Sequence, residues 1–413
     1  MNNKDSIELI APAGSFEALA AAIQSGANAV YFGIEQLNMR SVSSINFLID
    51  DLPKIVDKCR DNNVKTYLTL NTIIYDYDLN LAASIIKSAK DAGVSAIIAS
   101  DTAVIMQARS MDMPVHISTQ ANVTNIESVK FYANFAETIV LSRELGLKQI
   151  AEITQKIQQE QIKGPNNKLI DIEIFVHGAL CMAVSGKCYL SLHSHNSSAN
   201  RGACKQNCRK KYKVTDEDGN ELLIDNEYIM SPKDLCTINF LDEILKSGVT
   251  KLKIEGRARA ADYVSVTTKC YKEAIDSYKD NTFKQIKIDQ WISELKTVYN
   301  RDFWEGYYLG RHLGEWTKNG PGSQATHKKI YVGTGEHYFN KAQIAQFRID
   351  AFDIKQGDQL IIIGNTTGVK QFSLNELKVN DIYVEKAKKG DTFTTPLPFK
   401  IRNSDKLYKL ITS

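Results

Sequence analysis

The sequence predicts an α/β chain: a TIM-like (β/α)₈ barrel with a cysteine-rich insertion, followed by a small C-terminal antiparallel β-barrel. Short apolar runs alternate with amphipathic helical stretches, which calls for parallel strands joined by right-handed crossovers. Eight such units over roughly 280 residues match the size of a closed barrel. Beyond about Lys328 the pattern changes to period two, with Gly-Asp turns at Gly357-Asp358 and Gly390-Asp391, the mark of short antiparallel strands.

Taken in order, the strand runs are Ile7–Ala11, Ala29–Gly33, Val64–Leu70, Val94–Ala99, Val115–Ser118, Thr138–Leu141, Ile170–Val176 and Lys251–Glu255. Helical stretches follow from Phe16, at Leu48–Cys59, Leu81–Ala92, Ala103–Met111, Ile126–Phe135 and Leu147–Gln158, and through Asp262–Tyr278. An open doubly wound sheet is the alternative. However, the first strand leads into Ala11-Pro-Ala-Gly-Ser15, not a Gly-rich dinucleotide fingerprint. The expected organisation is a barrel over 1–280 carrying an insertion at 177–236, a helical and aromatic connector over 281–326, and a small β-barrel over 327–413.

At 413 residues and 43% apolar, the chain has material for more than one core. Lys plus Arg number 51 against 48 Asp plus Glu, which argues against a bulk nucleic-acid coat but not against a local basic patch. The opening Met1-Asn-Asn-Lys-Asp-Ser6 has no apolar signal region, and no apolar run is long enough for a bilayer. A cytoplasmic protein with no membrane association is expected. In that reducing compartment seven cysteines favour metal ligation or catalysis over disulfides.

Five of the seven lie between Glu173 and Cys236: Cys181, Cys188, Cys204, Cys208 and Cys236. The apolar run Glu173–Val176 breaks at His177-Gly178, and the rest of the segment is too polar to form its own core. A metal centre is the expected support. The gaps of six, fifteen, three and twenty-seven residues lack paired Cys-x-x-Cys knuckles, so zinc is unforced. Iron–sulfur clusters tolerate widely spaced thiolates. Spacing alone leaves iron–sulfur, zinc and free thiols open, with one cysteine spare. His193 and His195 are near enough to ligate but read more simply as loop histidines, and Cys59 and Cys270 as buried helical cysteines.

A barrel puts chemistry at the C-terminal ends of its strands. Asn71, Asp101, Thr119, Gln120, Ser142, Arg143, His177, Glu255 and Arg257 stand there, and the cysteine insertion emerges on the same face. His177 is either a site base or a brace for the loop. Arg201, Lys205, Arg209, Lys210, Lys211 and Lys213 form a basic group, read as a solvated face or as a grip on an anionic substrate or RNA backbone.

The run Glu173-x-Phe175-x-x-Gly178-Ala-Leu-Cys181-x₄-Gly186-x-Cys188-x-Leu190-Ser191 resembles the signature of the peptidase U32 family throughout. Ala11-Pro-Ala-Gly-Ser15, Tyr31-Phe-Gly33, Asn38-Met-Arg40, Asn46-Phe47, Ser118-Thr-Gln120, Arg201-Gly-x-Cys204, Ser231-Pro-Lys-Asp-Leu-Cys236 and Lys253-Ile-Glu-Gly-Arg257 are similar to it as well. Members were catalogued as collagenase-like peptidases, while the better understood ones are oxygen-independent hydroxylases holding a [4Fe-4S] cluster. The layout looks most like the tRNA branch, which makes 5-hydroxyuridine at the wobble position and depends on prephenate. Carried over, the resemblance implies cluster ligands Cys181, Cys188, Cys204 and Cys236. Cys208 matches a cysteine that ligates in some relatives.

Three functions follow as expectations. In tRNA hydroxylation, the target base is flipped out of its stack beside the cluster. Arg143, Lys253 and Arg257 pair with substrate carboxylates or phosphate, and Glu255 and His177 carry protons. Arg40, Arg143, Arg201, Arg209, Lys210 and Lys211 contact RNA, and prephenate is a dicarboxylate co-substrate. The alternatives are a collagenase-like peptidase and a non-catalytic subunit of a hydroxylase pair, so a homo- or heterodimer stays open.

Overall fold

The computed structural model describes residues 7–41, 46–184, 187–212, 217–219, 230–310, 315–317 and 322–412. Seven parallel strands pair in sequence order: β1 (Glu8–Pro12), β2 (Ala29–Phe32), β3 (Lys65–Leu70), β4 (Ala96–Ala99), β5 (Val115–Ile117), β6 (Thr138–Val140) and β7 (Asp171–Ala179). β8 (Asp234–Cys236) lies antiparallel to β7, and β9 (Lys251–Ile254) pairs in parallel with both β7 and β1, closing the cylinder. β10 (Phe303–Trp304) adds to the outer edge of β8. The predicted TIM-like barrel is therefore present, with β9 as its eighth strand. β8 and β10 form a two-strand extension that the sequence pattern had assigned to loops.

Alternation along the strands explains the two apolar layers. Leu9, Val30, Phe32, Leu68 and Ile97 face outward into the core shared with the surrounding helices, whereas Ile10, Ala29, Tyr31, Tyr67, Ala96 and Ile98 cluster inside the cylinder. The inside also holds charge. Lys253 Nζ lies 2.8 Å from Glu173, and Lys251 sits 3.7 Å from Glu8 and donates to Thr138 at 2.9 Å. Pairing is what makes such buried charges tolerable.

Helix starts follow local capping: Ser15 accepts from Ala18 N, Asp101 from Ala103 N and Asn125 from Ser128 N. The helix of the connector expected over 281–326 spans Gln285–Thr297. Beyond it, described strands from His327–Phe339 to Lys406–Thr412 form an eight-stranded antiparallel sheet around Val332, Phe347, Leu360, Phe393 and Leu407. Lys329 reaches back to Asp262 at 2.5 Å on the last barrel helix, Ala261–Lys279. Among the described residues, no helix is long and apolar enough to cross a membrane.

Candidate active site: a thiol-walled cavity at the barrel mouth

A cavity of about 490 Å³ opens at the C-terminal ends of the barrel strands. Its floor is built from strand ends: Tyr31 of β2, Thr69 of β3, Phe175 of β7 and Lys253 of β9 line it, joined by Asn71, Gln120, Arg143, Glu255 and Arg257 just beyond the strands. This is where a barrel places catalytic groups.

Glu255 is the centre of the floor. It accepts from Tyr31 Oη at 3.3 Å, and Arg40 and Arg143 approach it at 3.4 and 3.7 Å. Burial alone would raise its pKa. The Arg40, Arg143, Arg257 and Lys253 charges outweigh burial and hold it below the usual carboxylate value, so it stays ionised. Arg143 is fixed by a bond to Ala179 O at 2.9 Å and lies 3.8 Å over the Phe175 ring. Arg257 donates to Asn38 at 3.0 Å and Thr69 at 2.7 Å, and burial lowers its pKa to about 10. Gly33, in Tyr31-Phe-Gly33, leaves the space Arg257 needs: a Cβ there would stand 2.4 Å from its guanidinium. Gly178 has φ +103° and would place a Cβ 2.4 Å from Glu255 O, so this turn also demands glycine.

A second charged cluster adjoins the same cavity, with Arg209, Arg259 and Arg301 in its lining. Asp234 of β8 lies 3.4 Å from Arg301 and 3.8 Å from Arg259, and Arg209 feels its charge. Arg209 is anchored to Leu180 O and Pro232 O, both at 2.6 Å. Sequence reasoning missed Arg259 and Arg301, along with the wall residues Trp304, Tyr307 and Trp316. The aromatic run around 300–310 was the available signal, but nothing in the pattern shows that β10 folds it back onto β8.

The cysteines divide. Cys181, Cys188, Cys204 and Cys208 all line the cavity, and the Cys208 thiol, raised first by burial, feels the other three. Arg40 feels Cys204 and Cys181, which links this wall to Glu255. Cys236, given as a ligand by the resemblance, is buried in β8 away from the cavity lining, and burial pushes its thiol up to about 11. Its electrostatic neighbours are Tyr271, Tyr263 and Cys270. Among the described residues, no three Cys, His, Asp or Glu side chains converge closely enough to hold a single metal ion. Four soft donors spread around one cavity suit a multi-iron core, which is larger than one ion. Cys59 and Cys270 are buried.

The other sequence candidates scatter. His177 lies within β7, not after it, and does not line the cavity. The pairing of β7 with β9 slips between Phe175 and His177, which turns the imidazole out of the barrel towards Tyr263 and Tyr271 of helix Ala261–Lys279. Burial, helped by the Arg259 charge, lowers its pKa to about 3, so it is neutral at ordinary pH. Asp101 caps a helix, and Ser142 donates to Asn122 at 2.7 Å. Arg201 is engaged by Asp78 at 2.5 Å and Ile73 O at 2.8 Å. Lys210 and Lys211 are exposed, and Lys213 lies outside the described residues.

These features define a barrel protein with a cationic, cysteine-walled cavity over its C-terminal face. The chain belongs to peptidase family U32, whose family model matches residues 14–318. It is 52% identical over 408 residues to a protein of Porphyromonas gingivalis named collagenase, with 98% of each chain covered. It is 38% identical over 410 residues to an uncharacterized protease of Methanocaldococcus jannaschii, again covering 98% of each. It is 32% identical over 371 residues to tRNA hydroxylation protein P1 of Bacillus subtilis, covering 86% of this chain and 83% of that one.

Proposed function

We propose that this protein hydroxylates tRNA, forming 5-hydroxyuridine at the wobble position, with prephenate or a similar dicarboxylate as co-substrate. The observation that carries the reading is one ionised carboxylate, Glu255, ringed by Arg40, Arg143 and Arg257 beneath a wall of four thiols. Cys181, Cys188, Cys204 and Cys208 would hold a [4Fe-4S] cluster. This revises the ligand set implied by family resemblance, with Cys208 in place of Cys236. When bound, such a cluster supplies one-electron redox chemistry.

The protein's own residues do the rest. Arg40 and Arg143 pair with the carboxylates of the co-substrate through charge-assisted bonds, while Arg257, held by Asn38 and Thr69, keeps the floor positive. Glu255, ionised and bonded to Tyr31 Oη, takes up the C5 proton displaced from the base while the co-substrate supplies the hydroxyl oxygen with its two-electron oxidising equivalent and is itself reduced. Lys253 is bound to Glu173 and fixes the floor's charge, without acting as a free base. His177 braces β7 against the last barrel helix and has no proton-carrying role.

Deleting the gene and measuring 5-hydroxyuridine in tRNA by mass spectrometry tests this directly; an unchanged level would refute it. The name carried by the 52% identical relative supports a second reading, a collagenase-like peptidase. It would need Cys181 as nucleophile, yet His177, its nearest histidine in sequence, points away from the cavity. Gelatin cleavage abolished by Cys181→Ala but unaffected by iron removal would favour that reading.

A further inference from the structure

The rim of the cavity carries an aromatic surface that the reaction chemistry does not use. Beyond β3 the chain passes the cavity-lining Asn71 and then exposes Tyr75 and Tyr77, which are 47% and 75% accessible. Their rings meet edge to face at 5.6 Å. The Arg201 guanidinium lies 4.3 Å from the Tyr75 ring centre and 5.7 Å from that of Tyr77. Arg201 cannot swing freely, because Asp78 and Ile73 O hold it. Ile73 N also donates to Asn200 O at 3.1 Å, tying this loop to the cysteine segment. Tyr189 is 77% accessible although it stands between Cys188 and Leu190, both of which line the cavity.

Exposed aromatic rings grouped beside a cavity and rimmed by polar residues mark an interaction site. The charge around them says which kind. Residues 187–212 contain six Lys or Arg and no Asp or Glu, and Lys187, Lys205, Lys210 and Lys211 are exposed. Aromatic faces interleaved with cations, with Asp78 engaging Arg201 and no Asp or Glu within 187–212 itself, suit the unstacked bases and phosphates of single-stranded nucleic acid. A Pro-rich peptide would use the rings but gain nothing from the cations.

We propose that Tyr75, Tyr77 and Tyr189, with the fixed Arg201, form a stacking platform for the unpaired bases of an RNA loop. It seats the neighbours of whichever nucleotide enters the cavity, while the exposed lysines track the backbone. The proposal rests on the tRNA reading for its partner, but its test is binding and needs no turnover.

Fluorescence anisotropy with the full-length protein compares a labelled RNA hairpin with a seven-nucleotide loop, a blunt duplex of the same stem, and a collagen-like peptide. The hairpin is expected to bind tighter than the duplex. Tyr77→Ala and Tyr189→Ala, both at exposed positions, should each weaken hairpin binding about tenfold, while Tyr77→Phe keeps it. The salt dependence should be unchanged in the tyrosine variants and shallower in Lys205→Ala. Duplex binding as tight as the hairpin's, hairpin affinity unmoved by the Tyr77→Ala/Tyr189→Ala double variant, or tyrosine-dependent binding of the peptide instead would each overturn the platform. Hydroxylated tRNA persisting in cells that carry the double variant, alongside unmoved affinity, would sink the platform and leave the hydroxylation reading standing.

Discussion

In β3 five of six residues are buried, whereas across 180–212 only Leu180 and Ala199 are buried apolar side chains among the described residues. The barrel is held by apolar surface removed from water. The cysteine segment is held by polar attachments: Arg209 to Leu180 O and Pro232 O, Arg201 to Asp78, and Asn207 to Ser194 at 2.5 Å and Leu190 O at 3.3 Å. Hydrogen bonds contribute little net stability, typically about 1 kcal/mol each. If the proposed cluster is bound, this segment would gain much of its order from it, and the barrel would not.

The largest expected effect separates the two regions outright. Removing iron with a chelator after oxidation should make residues 180–212 the first site of limited proteolysis while the barrel's thermal transition moves little. Simultaneous collapse of both would break the distinction. Next, Glu255→Gln keeps the shape of the floor but removes its negative charge. Its 5-hydroxyuridine yield, scored by mass spectrometry in the complemented deletion strain, should fall about 100-fold.

The barrel side has its own titration. His177 is buried and neutral, with its pKa lowered to about 3 from an ordinary 6.5. Above pH 6.5 neither the folded nor the unfolded state is protonated there. As pH falls towards 3, only the unfolded state takes up the proton, so stability is lost. By pH 5 this one group should account for about 2 kcal/mol. Denaturant unfolding of His177→Phe should lack that fraction of the pH dependence. The smallest effect is local: Gly33→Ala pushes on Arg257 and should destabilise by about 1–3 kcal/mol, read as a lower Tm.

The two regions also differed in how far they could be read from sequence. The barrel was legible because most strands bury both faces in largely β-branched or apolar runs and the helices between them repeat with their own period. Asn71, Gln120, Arg143, Glu255 and Arg257 followed from strand ends alone, and the structure brings all five to one cavity. His177 did not follow, since the slip in β7 that turns it outward leaves no trace in residue order. Nor did β8, whose three residues Asp234–Cys236 become a strand only because β7 and β10 offer edges on either side. That hidden strand takes Cys236 out of the cavity wall, which no count of spacings reveals.

On our proposal the four cavity thiols would hold an iron–sulfur centre, while Cys236 would be an inert buried thiol. Iron and acid-labile sulfide, measured per chain after anaerobic purification of the wild type, Cys208→Ser and Cys236→Ser, address it most directly. About four irons are expected in the wild type and in Cys236→Ser, and loss of the centre in Cys208→Ser. A full complement in Cys208→Ser with loss in Cys236→Ser would contradict it.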